Sequence, residues 1–276
     1  MALFIHGETK KQLTALQKSR PHAVILSGRE GVGLALIARE FFSINNVTTQ
    51  TILPEKDESV DLEKGIISIG IIRRLYESTK TVSPGGRVII IDYAARMATP
   101  AQNAFLKLLE EPSPGTQFVL LTHQPEKLLP TITSRSQHIS VRPIGLNSSN
   151  ELLDSLKVTD PTKRAQLLFI AEGLPAELTR LSTNSEYFDS RVELVRDARS
   201  FASGTPYARL MLAKKYKDSR PKATLLVEDS IKILRRTLAD NGDMSTLRAI
   251  GKLEQLHTRL SEQGNVRLQL SAVSVL

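Results

Sequence analysis

The strongest constraint in this chain is a glycine-spaced turn between two apolar stretches: Ser27-Gly28-Arg29-Glu30-Gly31-Val32-Gly33-Leu34-Ala35-Leu36-Ile37-Ala38, directly after Ala23–Leu26. The first stretch suits a short buried strand and the second has helical spacing. Strands that turn into helices in this way build α/β domains. Gly28 and Gly33 have the Gly-x4-Gly spacing of a phosphate-binding loop, with Gly31 between them. In such loops backbone N–H groups and the helix N-terminus wrap the phosphate oxygens, a Lys reaches the terminal phosphates and a Ser or Thr hydroxyl binds Mg²⁺. The Lys position is Leu34 and the hydroxyl position is Ala35. Two readings follow, a cradle without its gripping side chains or a plain glycine-rich turn. Either way hydrolysis is expected to be very slow, because phosphoryl transfer depends on positioned positive charge.

The rest of the first half continues the alternation. Short strands are expected at 23–27, 87–91, 117–121 and 138–142, the middle two nearly continuous in apolar residues, as in strands covered on both faces. Helical patterns occupy about 34–43, 68–80 and 100–110, the last with Thr99 as N-cap and Pro100 at the first helical position. A three-layer α/β domain with a parallel sheet is predicted for residues 1–143. Residues 144–184 read as three helices, two of them opening with Pro161 and Pro175. Residues 185–276 are helical throughout. Leu247, Ile250, Leu253, Leu256 and Leu260 form one apolar face, and 223–242 is a long helix closed at Asn241-Gly242.

Composition narrows the function classes without selecting one. The 276 residues are 41% hydrophobic and 24% charged, as in ordinary globular proteins. No apolar run approaches the roughly 18 residues of a membrane-crossing helix, and the polar residues after MALFIH do not fit a signal peptide, so a cytoplasmic protein is expected. There is no Cys, which excludes disulfides and thiolate metal sites. The His residues, at 6, 22, 123, 138 and 257, lack metal-ligand spacing, and no metal site is expected. A net charge of +8 favours polyanionic partners. Arg73-Arg74, Lys214-Lys215-Lys217 and Arg235-Arg236 read as solvated helix faces, with phosphate contact as the alternative.

The run Val88–Ile91 ends in Asp92-Tyr93, resembling a Walker B strand whose Asp helps hold Mg²⁺. Many such ATPases follow it with a Glu that orients water. Tyr93 is no general base at neutral pH, since a phenol has a pKa of about 10. Downstream come, in order, Gln102-Asn103-Ala104 with Leu106–Pro112, then Thr122, then Ser134-Arg135-Ser136. With the stretches IGIIRRLYE and SPGGRVIIID, and with Asn265-Val266-Arg267-Leu268-Gln269-Leu270 near the end, this pattern resembles the clamp-loader group of AAA+ proteins. The resemblance is strong over about residues 20–143 and loose beyond.

That resemblance implies a P-loop NTPase (AAA+) core with a parallel sheet, a helical lid over 144–184 and an all-α collar over 185–276 through which subunits associate. It places Thr122 as the sensor-1 residue. It makes Arg135 an arginine finger directed at the ATP of a neighbouring subunit, a role worth about 10³–10⁵-fold in hydrolysis. Active members carry a sensor-2 Arg where Ala176 falls. With Leu34, Ala35 and Tyr93 also departing, the pattern points to the delta-prime branch of bacterial DNA polymerase III, which keeps the finger without reliable ATPase chemistry. Gly28, Gly31, Gly33, Asp92 and Thr122 then outline a vestigial nucleotide site. The chain is not itself an enzyme in this reading and needs no cofactor, while ATP or phosphate binding by the loop stays open. The implied partners are the gamma/tau and delta subunits, the sliding β-clamp indirectly, and primer–template DNA. Many relatives in that branch carry a four-Cys zinc module between loop and Walker B strand. Residues 44–66 are too short and polar for one, so metal binding is not carried over. Glu110 and Glu111 are read as structural or interface residues. Two other readings are an ATPase with a non-consensus loop and a free-standing nucleic-acid binder on a decayed scaffold.

Overall fold

A computed structural model describes residues 3–43, 47–81, 83, 85–261 and 264–273. It contains two compact units, Met1–Ser182 and Thr183–Leu276. The first runs α1 (Gly7–Ser19), β1 (Ala23–Ser27), α2 (Leu34–Phe42), β2 (Thr48–Ile52), a ribbon of β3 (Glu55–Lys56) and β4 (Ser59–Val60), then α3 (Ile69–Thr79) and β5 (Arg87–Ile91). It continues with α4 (Thr99–Glu110), β6 (Thr116–Thr122), α5 (Pro130–Thr133), β7 (Gln137–Ser140), α6 (Leu146–Ser155), α7 (Pro161–Ala171) and α8 (Pro175–Thr183).

The main sheet has five strands in the order β2-β5-β6-β1-β7, every pair parallel. Successive side chains on a strand point to opposite faces, and the sheet is covered on both. Ile25, Ile89, Ile91, Phe118 and Leu120 meet Ile71, Ile72 and Leu75 of α3 and Ala101, Phe105 and Leu108 of α4. Phe105 and Phe118 meet edge to face with centroids 5.2 Å apart. Val24, Leu26, Val88, Ile90, Val119 and Leu121 meet Leu13 and Leu16 of α1 and Leu34, Ile37 and Phe42 of α2. This is the AAA+ type of α/β layering, with the nearly unbroken apolar strands that two-sided burial requires.

Several local expectations change. The cap of α4 lies one residue earlier than expected: Ala98 is the N-cap and makes no side-chain hydrogen bond, so Thr99 is already helical. Strand β7 is 137–140 rather than 138–142. Val141 still donates its N–H to Ser27 at 2.7 Å, and the chain then leaves the sheet as Arg142 donates to the Thr9 hydroxyl. The edge strand β2 has no apolar signature. Its residues Thr48, Thr49, Gln50 and Thr51 are held by backbone pairing to β5.

The second unit consists of α9 (Ser185–Ser203), α10 (Pro206–Lys215), α11 (Arg220–Asn241), α12 (Met244–Ser261) and α13 (Val266–Ser271). Its core joins Leu194, Phe201, Leu226, Ile231, Ile250, Leu253, Leu256, Leu260 and Leu270. Leu247 departs from the expected stripe and is 47% exposed, because it lies in the first turn of α12. Two arginines complete helix ends. Arg209 donates from Nε to the Phe201 carbonyl at 2.9 Å and from Nη2 to Ala202 at 3.1 Å, at the end of α9. Arg220 donates to the carbonyls of Leu260 and Gly264. Cations placed there also suit the negative end of the helix dipole. Asn265 caps α13 by accepting the Leu268 N–H, which gives the Asn-x-x-Leu spacing near the end a local cause. Among the described residues no helix is long and apolar enough to cross a membrane.

Candidate functional site

Strand β1 delivers the glycine loop to the C-terminal edge of the sheet, where parallel α/β sheets place their ligand crevices. Ser27 lies opposite Thr122 of β6 and Ser140 of β7. Gly28 donates its N–H to the Thr122 carbonyl at 3.3 Å. A Cβ on Gly28 would stand 2.9 Å from the Val141 carbonyl oxygen, so the close passage of the chain after β7 requires glycine. Gly33 is the N-cap of α2, with no side-chain cap bond. Leu34 is 4% exposed and belongs to the same apolar cluster as Val32, Ile37, Ala38 and Leu174. The side chain at the phosphate-gripping position is thus a core residue.

Asp92 follows β5, with its N–H bonded to Ile52. Its carboxylate accepts the Tyr93 N–H at 2.8 Å. Burial raises the Asp92 pKa above its ordinary 3.8, opposed by that hydrogen bond and by the charges of His123 and Arg39. Tyr93 adopts a left-handed backbone at φ 52°, with the Arg96 guanidinium 5.2 Å from its ring centroid. Burial, then the charges of Asp92 and Glu30, raises its phenol pKa, so it remains protonated at neutral pH. Thr122 is buried, and its hydroxyl oxygen accepts the Gln124 N–H at 3.0 Å, shaping the turn after β6. Gly28, Gly31, Gly33 and Asp92 come after the C-terminal ends of β1 and β5, and Thr122 is the last residue of β6.

Two histidines that looked scattered in the sequence line this edge. His123 Nδ1 lies 2.7 Å from the Gly28 carbonyl oxygen, and His138 Nε2 lies 2.7 Å from the Ser27 hydroxyl. A carbonyl can only accept, so His123 carries its proton on Nδ1. Only the strand register brings these partners together. No group of His, Asp and Glu among the described residues is arranged to hold a metal ion.

Arg135 lies elsewhere. It follows α5 and precedes β7, whose Gln137 pairs with Val24 at the beginning of β1. Since β7 and β1 are parallel, Arg135 lies towards the N-terminal ends of these strands, opposite the glycine loop, which begins four residues, about 13 Å at the extended rise of some 3.3 Å per residue, beyond Val24. Its guanidinium is 40% exposed, 2.9 Å from Glu110 Oε1, and donates to the Thr131 carbonyl at 3.2 Å. The buried Gln102 on α4 fixes this corner. Its amide nitrogen donates to the carbonyls of Met97 and Lys127, and its oxygen accepts the Leu129 N–H at 2.8 Å just before α5.

A parallel sheet of this order, covered on both faces, with a glycine loop after β1 and an Asp just after β5, is the fold of the AAA+ class. A RuvB variant from Thermotoga maritima has a similar fold, with a TM-score of 0.50 and 15% identity over 69% of this chain and 65% of that one. The chain belongs to the family described as DNA polymerase III, delta subunit, whose model matches residues 6–145, and within it is of the delta-prime type. It is 36% identical over 110 residues to DNA polymerase III subunit delta′ of Bacillus subtilis, covering 40% of this chain and 33% of that protein. It is 38% identical over 104 residues to the delta′ subunit of Pseudomonas aeruginosa, covering 37% of this chain and 32% of that protein. The matches span about a third of the length of these relatives.

Proposed function

We propose that this chain is a non-ATPase subunit of a DNA polymerase III clamp loader. In this reading it assists placement of the sliding β-clamp on primer–template DNA in the cytoplasm and directs Arg135 at the nucleotide of a neighbouring subunit. The carrying observation is the separation of two features on one sheet. Arg135 is exposed at the edge opposite the glycine loop, while the loop's phosphate-gripping position is the buried Leu34. A guanidinium there has no nucleotide of its own to serve. It has the fixed charge and planar donors suited to phosphate oxygens across an interface. The gamma/tau and delta subunits are the proposed neighbours, and the helical unit Thr183–Leu276 is the proposed collar. The chain needs no cofactor of its own in this reading. The backbone of Gly28–Gly33 supports at most weak phosphate or ATP binding, without the Lys or the hydroxyl.

The test is Arg135→Ala in a complex reconstituted with gamma/tau and delta. Folding and assembly remain normal, while hydrolysis at the one site that Arg135 serves falls by about 10³-fold or more, seen as a lost share of DNA-stimulated ATP turnover. Unchanged turnover in a fully assembled complex rejects the finger. ATP turnover by the isolated wild-type chain rejects the non-ATPase role.

A further inference from the structure

The glycine loop makes contacts that a phosphate cradle does not explain. The carbonyl oxygen of Gly31 accepts the Ala176 N–H at 2.9 Å and the Glu177 N–H at 3.1 Å. Both groups lie in the first turn of α8, where backbone donors have no intrahelical acceptor. Pro175 opens the helix with no N–H to offer, and Leu178 already donates to Leu174 at 2.9 Å. One loop carbonyl therefore completes the start of α8. The approach requires Gly31, because its φ is +85° and a Cβ there would fall 2.8 Å from the Glu177 Cβ.

Further contacts flank this bond. Arg29 Nη2 is 2.8 Å from Glu172 Oε2 at the end of α7. Leu174 shares the buried cluster of Val32 and Leu34, so the residue at the lysine position contributes to the same apolar surface. The Gly173 carbonyl accepts the Ile144 N–H at 2.8 Å, fixing the α7–α8 turn to the chain leaving the sheet. Ala176 comes so close that its Cβ would be 3.7 Å from a Cβ built on Gly33.

We infer that the loop Gly28–Gly33 is an internal docking seat for α8, which latches the helical segment onto the α/β core without a ligand. Gly31 is needed for that docking whether or not a phosphate ever enters the loop. The inference deepens the nucleotide-silent reading above and rests on it only for its significance, since the latch belongs to the isolated chain.

Amide hydrogen exchange followed by NMR on the full, nucleotide-free chain tests it. The Ala176 and Glu177 amides exchange about tenfold or more slowly than the open amides of an uncapped helix start. Glu172→Lys sets two cations face to face, and Gly31→Ala forces a clash. Each speeds exchange at these two amides by about tenfold or more while the amides of β1 and β6 stay protected. If Gly31→Ala does not fold, Glu172→Lys carries the test, since the ion pair it breaks is partly solvent-exposed. Open-rate exchange in the wild type, or protection indifferent to both substitutions, overturns the latch. Neither readout involves a neighbour's hydrolysis, so the latch and the finger stand or fall separately.

Discussion

Glu110, on the last turn of α4, holds the guanidinium of Arg135 at 2.9 Å, and both side chains remain largely in solvent. Exposed pairs of this kind contribute little to stability, so this one orients more than it stabilises. Glu110→Gln is expected to change unfolding free energy by less than about 1 kcal/mol in urea titration. In the assembled complex it alters the salt dependence of DNA-stimulated ATP turnover, because Arg135 then reaches its target without leaving a carboxylate.

Gln102 behaves differently because it is buried. Its amide serves three backbone groups, at Met97, Lys127 and Leu129. Gln102→Leu leaves these groups unpaired and is expected to destabilise the chain by about 2–4 kcal/mol, measured by chemical denaturation. Limited proteolysis near 127–135 then increases before global unfolding, since that segment loses its anchor.

On the proposed reading, restoring the loop's consensus is not expected to restore an ATPase. Leu34→Lys with Ala35→Thr places an ammonium in an apolar cluster and is expected to lower stability by about 2–4 kcal/mol. ATP turnover by the isolated double variant is expected to stay at background, because on that reading Tyr93 and Ala176 still stand where active members carry catalytic groups.

Asp92 gives a pH signature. Burial raises its native pKa above the unfolded value, so the native state holds a proton that the unfolded state has released. The resulting penalty is absent below the ordinary value of 3.8, grows as pH rises from there to the native pKa and is complete above it. Asp92→Asn removes that term. The stability difference between variant and wild type therefore moves in the variant's favour as pH rises from about 4 towards neutrality, measured by urea titration at several pH values.

In the helical unit, Arg191 faces Asp229 at 3.1 Å with both side chains buried, and Lys232 lies 3.0 Å from the same carboxylate. Beyond that ion pair, Arg191 Nε and Nη1 and Asp229 Oδ2 are buried with no hydrogen bond to another of the described residues. Arg191→Met alone is expected to destabilise by about 3–5 kcal/mol, whereas Arg191→Met with Asp229→Leu recovers most of the loss. Thermal denaturation of the three proteins measures the difference.

Residues that carry their own signal were legible in the sequence. β1, β5 and β6 are nearly unbroken apolar runs because both faces are covered, and Gly28, Gly31, Gly33 and Asp92 follow them directly. β2 was not legible, since Thr48–Thr51 carry no apolar pattern and owe their place to β5. The same holds for His123 and His138, whose partners Gly28 and Ser27 lie 95 and 111 residues away and are reached only through strand register. The misplaced cap at Thr99 follows from reading a capping hydroxyl where the helix had already begun. Glu110 could be read only as a structural or interface residue, and its pairing with Arg135 depends on how α4 and α5 meet.

Leu34 lies in the interior, and this has a consequence for stoichiometry. On the proposed reading, a second copy of the chain would present Arg135 with a pocket that grips nothing, so self-pairing achieves no chemistry. On that same reading, the working assembly is expected to be made from unlike polypeptides, with this one outnumbered by, or at least matched to, products of another gene.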